Sequence, residues 1–239
     1  MTGASSTATT IPAQSRSNPR QPVQSIGRPD DIHVRWVMPE IFHDMPITVE
    51  DDDETVRLLE DLAANALPGA PDEDQTRFAV LCALGLDDLQ TSGVEYAGIC
   101  VTAVDGDVCT ATVMAALVDS PDGDRGMTPV KTIASGLRQT STDEISELEL
   151  PCGPAVSCIG TRNAKLTGEL TESGESLTFP ASFIRVYVPL PNGTILVMEL
   201  STPTMAGWDI FSTMFGNVVS SIRLFKADGT PLIASGTTA

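Results

Sequence analysis

The chain has 239 residues, 41% hydrophobic and 19% charged, which is apolar material enough for a sizeable core and excludes a wholly disordered protein. The formal net charge is −18, and Arg16, Arg20 and Arg28 are the only charged residues before Asp30, so setting aside their +3 leaves −21 on the rest. Binding phosphates needs clustered Lys and Arg, and the only lysines are Lys131, Lys165 and Lys226, so nucleic acid and anionic lipid are not expected partners.

Residues 1–31 are rich in Ser, Thr, Pro and Gln, with almost no large apolar side chain, and read as a disordered N-terminal arm. They lack the apolar core of a secretory signal, and no run nears the roughly 20 apolar residues of a bilayer span. The expected location is therefore the cytoplasm, without membrane insertion. A single folded domain is expected over 32–228 and a flexible tail over 229–239.

In "HVRWVMPEIF", Val34, Trp36 and Met38 alternate with His33, Arg35 and Val37, the period of an opening strand. "EDDDE" then places carboxylates where a helix begins, at the positive end of its dipole. Leu59, Leu62, Ala63 and Ala66 continue the helix as a single apolar stripe. "LPGAP" interrupts it, and "PDEDQ" opens a second helix with Phe78, Leu81, Cys82, Gly85 and Leu89 as its expected stripe, ending near Gly93.

"VEYAGICVTAV" and "VCTATVMAALV" flank Asp105-Gly106, a pair suited to the positive backbone angles of a tight hairpin turn. Both segments are apolar at nearly every position and are expected to be central strands covered on both faces. Thr128 and Pro129 open a third helix carrying Val130, Ile133, Ala134 and Leu137. "EISELEL" and "PAVSCIG" form two strands about the turn "PCGP". "ASFIRVYVPL" and "TILVMELST" form another hairpin through Asn192-Gly193, with Ile184, Val186, Val188 and Leu190 on its buried face. In the last helix, Trp208, Phe211, Phe215, Val218 and Ile222 recur at three- and four-residue steps. Successive hairpins require antiparallel pairing, so the expected fold is α+β: an antiparallel sheet of about six to seven strands with helices on its faces.

Few residues have the spacing that chemistry needs. Cys152 and Cys158 lie six apart. On extended chain that separation is about 20 Å, well beyond the roughly 5.5 Å between α-carbons in a disulfide. With Cys82, Cys100 and Cys109 they make an odd set without a Cys-x-x-Cys pair, and all five read as structural thiols. His43 beside Asp44 is the one acid–base candidate, and it reads as part of a solvated loop. Phosphate-cradling glycine loops are absent, and Asp119, Asp122 and Asp124 lack the terminal Glu of a calcium loop. Asp87 and Asp88 read as solvated carboxylates. No cofactor is expected.

The closing "WDIFSTMFGNVVSSIRLF", with the layered α+β pattern, resembles the PsbP-like superfamily and its LpqN-type members over roughly residues 34–226. "GVEYAGICVTAVDGDVCTATVMAALV" and "LELPCGPAVSCIGTR" look like actinobacterial proteins of this shape, some associated with type VII secretion loci. The resemblance implies a binding or assembly factor without catalytic residues and transfers no individual binding residue. The expected function is thus a non-enzymatic cytoplasmic accessory protein with a protein partner, Trp208 and Phe211 being candidate contact residues. Two alternatives stand beside it. One is a small-molecule enzyme using carboxylates or His43. The other is an acidic decoy for a basic protein, which would gather Glu50 to Glu54, Asp72 to Asp74 and Asp143 to Glu149 on one face.

Overall fold

A computed structural model describes residues 22–28, 31–120, 129–166, 168, 171 and 173–232. Two antiparallel sheets and four helices form one α+β domain. The chain opens with β1 (Val23–Gly27), β2 (His33–Val37) and β3 (His43–Asp44). Helices α1 (Asp52–Ala66) and α2 (Asp72–Thr91) follow, then the hairpin of β4 (Tyr96–Val104) and β5 (Asp107–Asp119). After α3 (Val130–Thr140) come β6 (Glu144–Leu150), β7 (Gly153–Leu166), β8 (Leu177–Pro189) and β9 (Thr194–Thr202). The chain ends in α4 (Trp208–Ser220), β10 (Arg223–Phe225) and β11 (Pro231–Leu232).

The large sheet runs β3-β4-β5-β9-β8-β7-β6 and the small one β1-β2-β10-β11. Two sheets stand where a single sheet was expected, because the opening strand leaves the large sheet and pairs with the chain's last strands. Val23–Gly27, assigned to the arm by its polar composition, is a strand whose every residue pairs with β2. Pro231–Leu232, assigned to the tail, pairs with β10. Residues 1–21 of the arm and 233–239 of the tail lie outside the described residues.

The main core lies between the sheets. Val34, Trp36 and Met38 from the small sheet meet Phe211, Phe215 and Val218 of α4, and both sets pack on Val113, Met198 and Leu200 of the large sheet. Gly207 lets this happen locally, since a Cβ there would collide with the Phe211 ring. Trp36 and Tyr96 meet edge to face, with centroids 5.2 Å apart and planes at 79°. On the opposite face, α1 and α2 cover Ile99 and Val101 of β4, while α3 lies against β6 and β7.

Local sequence accounts for the framing of these elements. Asp51 caps α1, its carboxylate accepting the Glu54 N–H at 2.8 Å, and the four expected stripe residues are the four that α1 buries. In α2 the expected stripe is displaced. Ala79, Cys82 and Leu86 are buried while Leu81 is 36% exposed, because residues 78–86 of α2 are apolar all round and α1 selects which side is covered. Asp105 and Gly106 take positive φ values of 53° and 93°. At the other hairpin only Gly193 does (82°); Asn192 instead accepts the Thr194 N–H and donates to Asp31. β5 is buried from Cys109 to Leu117 on the face toward the main core and only half-buried on the other.

Phe215→Ala is expected to cost about 3–5 kcal/mol in urea unfolding, whereas Ile210→Ala, exposed on the same helix, stays within about 0.5 kcal/mol of wild type.

Candidate functional site

Two features outside the main core concentrate polar groups, and they differ in how their charge is balanced. The first is a cleft of about 750 Å³ where the start of α1, the second half of α2 and the segments before α1 and β4 meet. Its apolar floor is closed by buried Ile47, Leu59 and Leu86, with half-buried Val94 and exposed Val56 presenting apolar surface to solvent. Gln90 fixes the wall by donating to the Ile47 carbonyl at 2.8 Å, tying the end of α2 to the loop before α1. Glu50, Asp52, Asp87 and Glu95 surround the floor, and no ion pair among the described residues engages any of them.

This uncompensated charge continues along the helix pair. Residues 50–95 hold thirteen carboxylates against Arg57 and Arg77, a net −11 of the chain's −18. Both arginines pair within their own helix, Arg57 with Glu54 and Asp61, Arg77 with Glu73. Asp52, Asp53, Asp72 and Asp74 stand in the first turns, where the helix dipole offsets part of their repulsion, whereas Glu60 in the middle of α1 and Asp87 and Asp88 near the C-terminal end of α2 gain nothing from it.

The second feature lies on the helix-bearing face of the large sheet. Glu199 of β9 has a side chain only 6% exposed, a position where a carboxylate requires partners. Arg185 of β8, its register neighbour, donates Nε to it at 2.6 Å, and Arg162 of β7, the strand beyond β8, also donates to it. Arg185 also donates to the Tyr187 hydroxyl at 3.2 Å, and the Phe183 ring lies under both guanidiniums, 5.4 and 5.5 Å from its centroid. Each charged group here has an opposite partner, two guanidiniums sharing one carboxylate, so the group reads as a polar brace between strands.

The sequence candidates are dispersed. Phe211 is 0% exposed in the core and offers no surface to a partner, which corrects its assignment as a contact residue; Trp208 is half-buried at the start of α4. His43 does not line the cleft. It also points to the opposite side of β3 from Asp44, whose two oxygens accept from the Tyr96 hydroxyl and the Gln24 amide, each at 2.8 Å. Burial, followed by the Asp44 charge, pushes the Tyr96 phenol well above its usual range. Asp122 and Asp124 lie outside the described residues, while Asp119 pairs with Arg28 at 3.0 Å. Among the described residues no group of three His, Cys, Asp or Glu could hold a metal ion.

The acidic clusters proposed for a decoy lie at opposite edges of the large sheet. Glu50 to Glu54 and Asp72 to Asp74 belong to the helix pair near the β3 edge. Asp143 to Glu149 follows β6 at the other edge, six interstrand spacings and roughly 29 Å away. Asp87, read from sequence as merely solvated, is a cleft residue. Its position depends on packing between segments some forty residues apart, which no local pattern encodes. Glu199 did leave a trace: it is the one acid in the apolar run "TILVMELST".

No protein-family model matches the chain, and neither does a curated protein. The chain is similar to the crystal structure of LpqN, described as involved in cell envelope biogenesis of Mycobacterium tuberculosis. The match covers 86% of this chain and 91% of that one, at 8% identity and a TM-score of 0.39. A likeness so slight carries nothing about what this chain does.

Two predictions come from these environments. Glu199→Ala is expected to lower stability by about 2 kcal/mol in urea unfolding, because it strands two part-exposed guanidiniums, while Glu147→Gln on exposed β6 leaves stability within about 0.5 kcal/mol. Burial pushes the thiols of Cys82, Cys100, Cys152 and Cys158 up to about 11, leaving roughly one in a thousand ionised at pH 8. Titration of the native protein with a thiol reagent at pH 8 should therefore show slow reaction at half-buried Cys152 alone, and all five thiols should react after unfolding.

Proposed function

We propose that this chain is a non-catalytic cytoplasmic accessory protein that binds a partner protein through the cleft beside α1 and α2. The observation that carries this reading is the cleft's composition. Four unpaired carboxylates surround an apolar floor, and no His, Cys, Ser, Lys or Arg lines it to complete a nucleophile–base or metal-ligand set. Exposed apolar surface within a charged border is the pattern of an interaction site. Five free thiols suit a reducing compartment. A role in secretion or assembly, the one implied by the resemblance to PsbP-like proteins, belongs to the same proposal.

The test is affinity purification of the tagged full chain from its host at low and high salt, beside a Val56→Lys variant that places a charge on the exposed apolar wall of the cleft. A stoichiometric partner held by wild type and lost by the variant supports the reading. Equal recovery by both moves the binding surface elsewhere, and turnover of a metabolite dependent on Asp87 would replace the accessory reading with an enzymatic one.

A further inference from the structure

We infer that the occupant of this cleft is a cationic amphipathic helix of a partner protein, its lysines or arginines against the four carboxylates and its apolar side on Val56, Val80 and Leu84. The inference rests on the reading above that the cleft is a binding surface, and it specifies what binds there.

Three observations converge on that chemistry. The first is sign: the cleft walls bear only acidic charge, and they sit on the segment that carries −11 of the chain's −18. An anionic partner, whether nucleic acid or an acidic membrane surface, meets repulsion there, while a basic one is steered in. The second is the floor. Ile47, Leu59 and Leu86 are already buried, but Val56, 56% exposed, and half-buried Val94 gain from contact only with a partner that brings its own apolar surface, so a simple metal ion or a purely polar polycation leaves that part of the cleft unused.

The third observation concerns extent. Val56 lines the cleft and is 56% exposed; on α2, Leu84 stands next to the lining residue Ala83, and Val80 one turn before it, each 52% exposed. Apolar surface thus continues out of the cleft along α2, farther than a small ligand would cover. An amphipathic helix has the matching form, with apolar side chains at three- and four-residue steps and cations on either side of that stripe.

The carboxylates contribute chiefly through their combined field. Each contact near the surface is worth little alone and is screened by salt, so the apolar floor sustains the complex while the charges set its sign and speed its formation. Glu199 takes no part, since its charge is already satisfied by Arg162 and Arg185.

The test titrates the full chain with a fluorescein-labelled synthetic peptide of about five helical turns, Leu on one face and Lys on the other, and with a scrambled peptide of identical composition. Saturable binding is expected for the amphipathic peptide, at least about tenfold tighter than for the scrambled one and weakening as salt rises. Asp87→Asn with Glu95→Gln should weaken it about tenfold at low salt, whereas Glu147→Gln with Glu149→Gln, which removes the same charge at the β6 edge, should leave it unchanged. Thermal melting of both double variants establishes that they fold.

Equal losses in the two double variants would mean that the peptide senses only net charge, and would overturn the inference. Equal affinity for the scrambled peptide would overturn the amphipathic requirement. Saturable spermine binding that is lost in the cleft variant, without any peptide preference, would make the occupant a small polyamine and equally overturn it. Should no cationic probe bind while a host partner is still lost on Val56→Lys, the chemistry assigned to the occupant fails and the binding role of the cleft survives.

Discussion

The pairing of β2 with β10 is the contact on which the rest of the fold depends. It joins Arg35, Val34 and His33 to Arg223, Leu224 and Phe225, residues almost the whole domain apart in sequence. Closing so long a loop is entropically unfavourable until nonlocal contacts form to offset it. The offset is the core beneath: Trp36 and Met38 on one side of the closure, Phe211, Phe215 and Ile222 on the other, all fully or almost fully buried. Ser221 secures the junction, its hydroxyl accepting the Val37 N–H at 2.9 Å and donating to the Val218 carbonyl at 2.6 Å. The helix pair, by contrast, is held by its own smaller clusters on the other side of the sheet.

That division lets the helix pair carry a charge the main core could not. Net charge far from neutrality works against compactness through self-repulsion. Here −11 of the −18 lies on the segment 50–95 that carries the two helices, each of which places three acids in its first turn, where the backbone dipole is favourable, and whose packing surfaces are small and apolar at Ala63, Ala66 and Ala79. The main core contains no such liability. Its most confined polar group, Trp36 Nε1, lacks a hydrogen-bond partner among the described residues, and the ring sits edge-on to Tyr96.

Local rules read the sequence well wherever one segment decides its own conformation. Asp105-Gly106 dictates its turn, Asp51 and the acids after it mark the start of α1, and the alternation in Val34, Trp36 and Met38 sets which face is buried. They fail where a distant segment decides. "VQSIG" has too little apolar content to declare itself a strand, and it becomes one because β2 offers an unpaired edge. In α2, Leu81 and Ala79 are equally plausible inward residues until α1 is in place. Phe211 and Trp208 share the apolar pattern of α4, yet one is sealed by the large sheet and the other is half-exposed, a distinction of position that periodicity does not carry.

Glu199 and the cleft carboxylates show what the difference between paired and unpaired charge implies. A carboxylate inside a sheet is tolerated only with partners, and the chain commits Arg162 and Arg185, two of its fourteen cationic residues, to that one group. Around the cleft it commits none. Glu50, Asp52, Asp87 and Glu95 remain open to water, where each is cheap to keep charged, and together they raise a negative potential over an apolar floor. Folding alone gains nothing from that potential, since self-repulsion on the helix pair opposes it. Its favourable counterpart arises only when opposite charge approaches, and the apolar floor then decides whether what approaches stays.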